Sequence, residues 1–435
     1  MEVPFFPFKA VRDGDGGMAV QSPYTAKPVG INPSASALLS LCDGSQSIDE
    51  IVDALCDRFE SSPESVRPAV HRFLRDYEAR GLVWIRGERM RWFDAAPPES
   101  IFWEVTAKCN LRCRHCVVSA GAEVPGELST QEGLDLLSQW AHMGVRDVTF
   151  SGGEPLLRSD IHILLRTAAA LGLSVGFSTN GTCLTPQAAR ELRALGANVQ
   201  VSLDGSCAEV YARLRGSRSA FDLALRGIRT LVSAGNDITI GTVLTKHNLD
   251  DIPAMLRLVE RLGVNRFRLI PFIAYGRGQE SMELEPLPNE VKEVTAYLHG
   301  ERGKRPLDIV SLEFEETFRP PPPGPVDPQE LGGCSGAISY CTVTPAGEVL
   351  PCHYFEGVRA ESVRDLPFAE IWRSSRFLNY FRSLRINDIR GPCRHCEWLP
   401  KCRGSCRAAN FSHARLLDSN RHCWLVAEAE RGDTG

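Results

Sequence analysis

Cysteines carry the first chemical signal. The chain of 435 residues holds fifteen, and they are unevenly spread. Cys42 and Cys56 precede residue 100, Cys109, Cys113 and Cys116 form a tight group, and Cys183 and Cys207 stand alone. Eight crowd the end: Cys334, Cys341, Cys352, Cys393, Cys396, Cys402, Cys406 and Cys423. The first residues, MEVPFFPFKAVRDGDGG, show no charged start followed by an apolar stretch, so no secretory signal and a reducing, cytoplasmic setting are expected. Disulfides are rare there, and clustered cysteines serve metals. In the first group the spacing is C-x3-C-x2-C. Three thiolates in one short loop can hold three irons of a [4Fe–4S] cube and leave the fourth iron open to a ligand. Structural zinc would want a fourth donor, and His115, between two of the cysteines, could hardly close the same tetrahedron. Farther on, Cys393-x2-Cys396-x5-Cys402-x3-Cys406 and Cys423 follow Cys334, Cys341 and Cys352. Read alone, a C-x2-C with more cysteines is a zinc pattern, and thiolates accept either zinc or iron–sulfur clusters.

The elements that must position these groups alternate. Strands are predicted at Ile101–Val105, Asp147–Ser151, Ser174–Ser178, Asn198–Ser202, Ile238–Leu244 and Arg266–Ile270. Helices lie between them, such as Thr130–Met143, opened by a Ser129/Glu132 capping box, and Pro186–Leu195. Strand–helix alternation means a parallel sheet. Six such units are too few for a closed eight-stranded barrel, so an α/β fold with a partial (β/α)6 TIM-type barrel is expected over residues 101–315. Its ligands would gather at the C-terminal ends of the strands. Residues 1–94 read as a small α+β region of winged-helix type. Its strands are near Phe5–Val11, Met18–Gln21 and Val83–Arg86. One of its helices follows Asn32-Pro33, another starts at a Ser47/Glu50 capping box, and a third runs from about Pro63 to Arg80. Residues 330–435 form the cysteine-rich part, with a hairpin of Tyr340–Val343 and Glu348–Pro351 around Pro345-Ala346-Gly347. Two proline-rich stretches, residues 95–100 and 319–328, read as extended linkers.

The C-x3-C-x2-C loop at the end of the first strand resembles the signature of radical S-adenosylmethionine (radical SAM) enzymes. Other positions match that family in order. Ser151-Gly152-Gly153-Glu154-Pro155 resembles the motif that meets the amino group of SAM, with glycines where backbone must approach a ligand and Glu154 as an anion for the ammonium. Asn180 lies in Ser-Thr-Asn-Gly at the end of the third strand. Ser202 and Asp204, at the end of the fourth, stand where family members contact ribose and carboxylate. Arg215, with Arg213 as the neighbouring alternative, resembles a carboxylate-binding arginine, and His115 stands near the expected adenine. The resemblance implies that the free iron chelates SAM and that a 5′-deoxyadenosyl radical abstracts hydrogen from a C–H bond. The hard chemistry is then the cofactor's. The terminal cysteines resemble the SPASM extension of such enzymes, which implies two auxiliary [4Fe–4S] clusters. Cys334, Cys341, Cys352 and Cys406 would hold one, and Cys393, Cys396, Cys402 and Cys423 the other. With the first, that makes three clusters, fed by a reductant such as flavodoxin or ferredoxin.

Charge excludes some partners. The chain carries 49 Lys+Arg against 54 Asp+Glu, and residues 1–95 carry 11 against 14. A winged-helix pattern without a basic stripe does not point to nucleic acid. No apolar run approaches the ~20 residues of a membrane span. The run Leu39–Val52 instead resembles the peptide chaperone of pyrroloquinoline quinone synthesis, which implies that a precursor peptide's leader adds as a strand to a sheet edge. The expected function is a peptide maturase that installs a cross-link, an oxidative decarboxylation or an epimerisation. The alternative is modification of a small molecule or a tetrapyrrole side chain. Cys42, Cys56, Cys183 and Cys207 match no pattern and read as small apolar residues.

Overall fold

The computed structural model describes residues 1–12, 17–22, 28–310, 314–318, 334–355, 357–411 and 415–432. The proline-rich stretch at 319–328 lies outside them.

The N-terminal region opens with β1 (Val3–Phe5), then β2 (Lys9–Arg12), β3 (Met18–Gln21) and β4 (Val29–Ile31). The last three form an antiparallel sheet in that order. The expected strand across residues 5–11 is split. Pro7 has no N–H to donate to a ladder, and its carbonyl instead accepts from the Arg359 amide at 2.6 Å. Short β4, with Gly30 at its centre, was not anticipated. Helix α1 (Pro33–Leu41) is capped by Asn32, whose side chain accepts from Ala35 N–H at 2.7 Å. Both halves of the Ser47/Glu50 capping box start α2 (Ile48–Phe59). Its apolar face, Ile51, Val52 and Leu55, is buried, as are Val70, Leu74 and Tyr77 of α3 (Pro63–Ala79). Strand β5 (Trp84–Arg86) returns antiparallel to β1.

The barrel begins at β6 (Ser100–Thr106) and continues through β7 (Asp147–Gly152), β8 (Ser174–Thr179), β9 (Asn198–Ser202), β10 (Asp237–Leu244) and β11 (Arg266–Pro271). All six expected strands are present within one residue of their predicted ends. Two more extend the sheet. Strand β12 (Asp308–Val310) pairs parallel with β11, so the parallel run from β6 to β12 has seven strands rather than six. At the opposite edge β13 (Tyr340–Val343), from the cysteine-rich region, pairs parallel with β6, Tyr340 opposite Ser100. Its hairpin partner β14 (Val349–Leu350) closes the nine-stranded sheet. Trp103, Phe150, Phe177 and Phe267 are fully buried on the outer face of the sheet, where Trp103 packs under α4 (Thr130–Met143) with Trp140 edge-on at 5.4 Å. Among the described residues no helix is long and apolar enough to cross a membrane.

The N-terminal region packs on the cysteine-rich region through rings and one buried ion pair. Phe5 stacks on Tyr380 at 4.3 Å, and Trp84 lies 5.3 Å from Tyr380 and 5.8 Å from Phe411. Beneath them Arg86, with a side chain 2% exposed, donates at 2.7 Å to both Asp388 Oδ2 and Ser383 O. The stretch before β6 is strapped to the same surface. Arg91 N–H donates to Ser383 Oγ at 2.9 Å, and Trp372 Nε1 donates to Ala96 O at 2.7 Å. A buried ion pair that loses one member leaves the other charge uncompensated, at a cost of about 3–5 kcal/mol. Arg86→Met should therefore destabilise the protein by about that amount in chemical denaturation. The double variant with Asp388→Leu should recover most of it, and a single-variant loss below about 1 kcal/mol would show that the pair does not hold the regions together.

Candidate active site and two thiol sets

The loop after β6 carries Cys109, Cys113 and Cys116, and its carbonyls are gripped from three sides. From β7, Gly153 N–H donates to Thr106 O at 2.7 Å and Glu154 N–H to Lys108 O at 2.8 Å. A Cβ on Gly152 would stand 2.3 Å from Thr106 O, and one on Gly153 would stand 2.2 Å from Lys108 O. Glycine is required there by the backbone of the cysteine loop itself, rather than only by an incoming ligand. From α5 (Ala208–Arg215), Leu214 O accepts the Arg114 amide at 2.8 Å. From the segment after β11, Arg277 N–H donates to Cys116 O at 3.0 Å, its Nε to Cys113 O at 2.9 Å and its Nη1 to Ala120 O at 2.7 Å. Gly276 precedes it at φ +54°, where a Cβ would meet Val117 O at 2.4 Å.

These elements enclose a cavity of about 210 Å³ at the C-terminal ends of the strands. Cys109, Cys113, Cys116, His115, Gly152, Gly153, Asn180, Ser202 and Arg215 all line it. Asn180 Nδ2 lies 3.9 Å from Cys109 Sγ, and Arg215 Nη1 lies 3.8 Å from Cys113 Sγ. Of the two candidate arginines Arg215 is buried at the cavity and Arg213 is exposed. Two predicted residues stand behind the wall. Glu154 is fully buried, and its carboxylate accepts from Thr179 Oγ1 and Asn180 N–H at 2.8 Å each and from Leu156 N–H at 3.2 Å, which ties the end of β8 to the cysteine loop. Burial pushes its pKa up. Asp204, also fully buried, holds Arg215 Nε at 2.6 Å and lies 3.1 Å from His115 Nε2. Burial alone would raise its pKa, but Arg215 and then His115 hold it well below the carboxylate range.

The cavity has a wall that the sequence did not reveal. His353 and Tyr354, directly after Cys352, enter it from the cysteine-rich region, and Glu104 and Phe102 of β6 lie on the same side. The His353 ring lies 4.1 Å from that of Tyr354 and 5.1 Å from that of Phe102. Burial, helped by the charge of Arg268, brings its pKa down to about 4, so it is neutral at neutral pH. The only sequence signal was adjacency to a predicted ligand. Arg277 was not singled out from the sequence, because a loop arginine's target carbonyls are not written locally.

Seven of the remaining eight cysteines fall on two places, and Cys341 is not placed beside either. Cys393, Cys396, Cys402 and Cys423 all line one cavity of about 960 Å³. Cys334, Cys352 and Cys406 are near enough for their charges to act on one another. Cys341 is buried on β13, where the nearby charge is that of Arg382. Among the described residues no three donors converge as round a single metal ion. The thiols fit clusters by their surroundings. Arg382 (3% exposed) and Arg407 (2% exposed) are buried beside them. The hydrogen bonds of both go to carbonyls, plus Asn379 for Arg382, with no carboxylate partner among the described residues. Arg382 Nη2 and Arg407 Nε are buried without a partner. Burial meanwhile raises the pKa of Cys334, Cys341 and Cys352, and that of Cys423 to about 11. Thiolates ligating iron would answer both costs, since ionised sulfur would supply the counter-charge that the guanidinium groups lack.

The Arg277 grip generates a test that needs no cofactor. Hydrogen bonds from a charged donor contribute about 1.5–3 kcal/mol each, and every 1.4 kcal/mol is tenfold in a local opening equilibrium. Arg277→Ala in the apo-protein should speed amide exchange across residues 113–121 by at least about tenfold while leaving β8 and β9 unchanged. Unchanged exchange in the loop would show that the grip is not what orders it.

Comparison with known proteins accords with this geometry. Residues 103–259 match the model of the radical SAM superfamily, residues 18–83 that of coenzyme PQQ synthesis protein D, and residues 334–397 that of the SPASM iron–sulfur cluster-binding domain. The chain is 35% identical over 326 residues to an AdoMet-dependent heme synthase of Oleidesulfovibrio alaskensis, covering 72% of this chain and 83% of the relative. It is 34% identical to the mycofactocin maturase MftC of Mycolicibacterium smegmatis, covering 74% and 81%. In fold it is similar to Streptococcus suis SuiB bound to the precursor peptide SuiA, at 14% identity and a TM-score of 0.62 over 97% of this chain and 99% of that one. The chain belongs to the radical SAM superfamily and is an enzyme of that kind, with a PqqD-type region before the barrel and an iron–sulfur-binding SPASM region after it.

Proposed function

We propose that this enzyme matures a ribosomally made precursor peptide. The observation that carries the reading is the N-terminal three-stranded sheet fused to a radical SAM barrel. β4 has a strand partner on one side only among the described residues, β3, so a leader could add along its other edge. Just before β2, Phe8 bridges antiparallel to Val358 of the cysteine-rich region, and Lys9 pairs with Glu348 there. The maturase MftC and the peptide-bound SuiB support the same reading. The residues that would hold SAM and the first cluster are Cys109, Cys113 and Cys116, with Gly152, Gly153, Asn180, Ser202 and Arg215 on the cavity wall and Glu154 and Asp204 bracing it. The other eight cysteines would hold two auxiliary clusters, three in all, with a flavodoxin or ferredoxin as reductant.

When bound, SAM and the reduced cluster supply hydrogen-atom abstraction. The chain's own residues do the rest. Arg215, kept charged by Asp204, sets a cation on the cavity wall for a carboxylate. Phe102, His353 and Tyr354 present rings that can seat a side chain and exclude water. Cross-linking, oxidative decarboxylation and epimerisation all remain within what such a cavity can do.

A second reading has its own support. The heme synthase relative favours a tetrapyrrole or other small molecule, which would leave the N-terminal sheet unused. Anaerobic co-expression with short reading frames adjacent to the gene, followed by mass spectrometry, separates the two. A modified peptide is expected, and removing its leader should lower kcat/KM at least about tenfold, the loss of roughly 1.4 kcal/mol of strand-addition binding. A peptide left untouched by an enzyme that still cleaves SAM, together with turnover of an added iron-porphyrin, would overturn it.

A further inference from the structure

Arg407 lies near enough to both thiol sets for their charges to act on it. It follows Cys406 directly, and its own N–H donates to the Cys334 thiol. The charges acting on its guanidinium are those of Cys393, Cys406, Cys334 and Cys402, two cysteines of each assigned set. It is 2% exposed. Nη1 donates to Leu416 O at 3.3 Å and Asp418 O at 3.2 Å, Nη2 donates to Gly404 O, and Nε is buried without a partner. No carboxylate pairs with it among the described residues. The other buried arginines differ. Arg86 has Asp388 and Arg215 has Asp204, while Arg382 faces Cys341 of one set only.

A full positive charge with no carboxylate, shared by two clusters of thiols, acts on both at once. A [4Fe–4S] cube gains one negative charge on reduction, and a cation close by in a low-dielectric interior favours that reduced form. We propose that Arg407 is a shared positioning residue that makes both auxiliary clusters easier to reduce together, so that neither can be tuned without the other. The proposal rests on the three-cluster reading above.

The test uses the anaerobically reconstituted full-length enzyme, iron analysis and redox titration followed by electron paramagnetic resonance. Wild type should hold about twelve irons per chain, three cubes of four. Arg407→Gln keeps a polar side chain and loses the charge. Its two auxiliary clusters should both shift toward the oxidised form by about tenfold in their reduction equilibrium, which is about 59 mV for one electron. The first cluster should not move. Arg407→Lys loses the fork but keeps the charge, and should restore both potentials. A shift in one auxiliary cluster alone, no shift in either, or equal shifts in the Gln and Lys variants would overturn the proposal while twelve irons leave the three-cluster reading standing. If Arg407→Gln loads neither auxiliary cluster, loading by Arg407→Lys supports the proposal and failure of both variants overturns it. About four irons in wild type would overturn the three-cluster reading and the proposal with it.

Discussion

Everything at the mouth of the barrel depends on where one loop's carbonyls are held. The cysteine loop has little regular structure of its own, so its shape comes from hydrogen-bonding groups on other elements. Backbone amides of Gly153 and Glu154 hold its start, Arg277 holds Cys113, Cys116 and Ala120, and Leu214 takes the Arg114 amide. Several of these groups are fixed in turn. Glu154 is locked to Thr179 and Asn180, and Arg215, one residue past Leu214, is locked to Asp204. The three thiols are thereby set by four strands and one helix rather than by the loop, as a preorganised site requires.

Electrostatics divides the molecule into two regimes. At the barrel site the buried charges are paired within the protein, arginine against aspartate. Beside the C-terminal thiols the buried Arg382 and Arg407 have no carboxylate partner among the described residues, and ionised sulfur would answer them. The first arrangement is complete before any cofactor arrives. On the proposed three-cluster reading the second would be complete only with one, which would make stability and metal content a single property of the C-terminal region.

Much of this was legible in the sequence because it is local. Strand ends, the capping boxes of Ser47 and Ser129, the helix start at Asn32-Pro33 and the three-cysteine loop all depend on neighbours within a few residues. What was not legible is long-range. Nothing near Tyr340 says that it will lie beside Ser100, and nothing near Phe5 says that it will stack on Tyr380. β12 is three residues long, too short for a periodic signal. The glycines of Gly152-Gly153 were legible as a close approach, but the approaching group proved to include the chain's own Thr106 and Lys108 carbonyls. Glu154 was read as facing an ammonium, and its described partners are the ends of β8 and the adjoining turn.

The parallel pairing of β13 with β6 has a consequence for biosynthesis. β6 is made early and its partner strand late, with the whole barrel and the proline-rich stretch between them. At ribosomal rates of 5–20 residues per second, the open edge of β6 waits on the order of ten seconds or more for its neighbour. During that interval the strand that leads into the cysteine loop is an unpaired edge, the kind of surface on which nascent chains misassociate. Assembly of the cofactor site and completion of the sheet are thus separated in time. The last quarter of the chain acts as the closing clasp of a structure whose first half has already emerged.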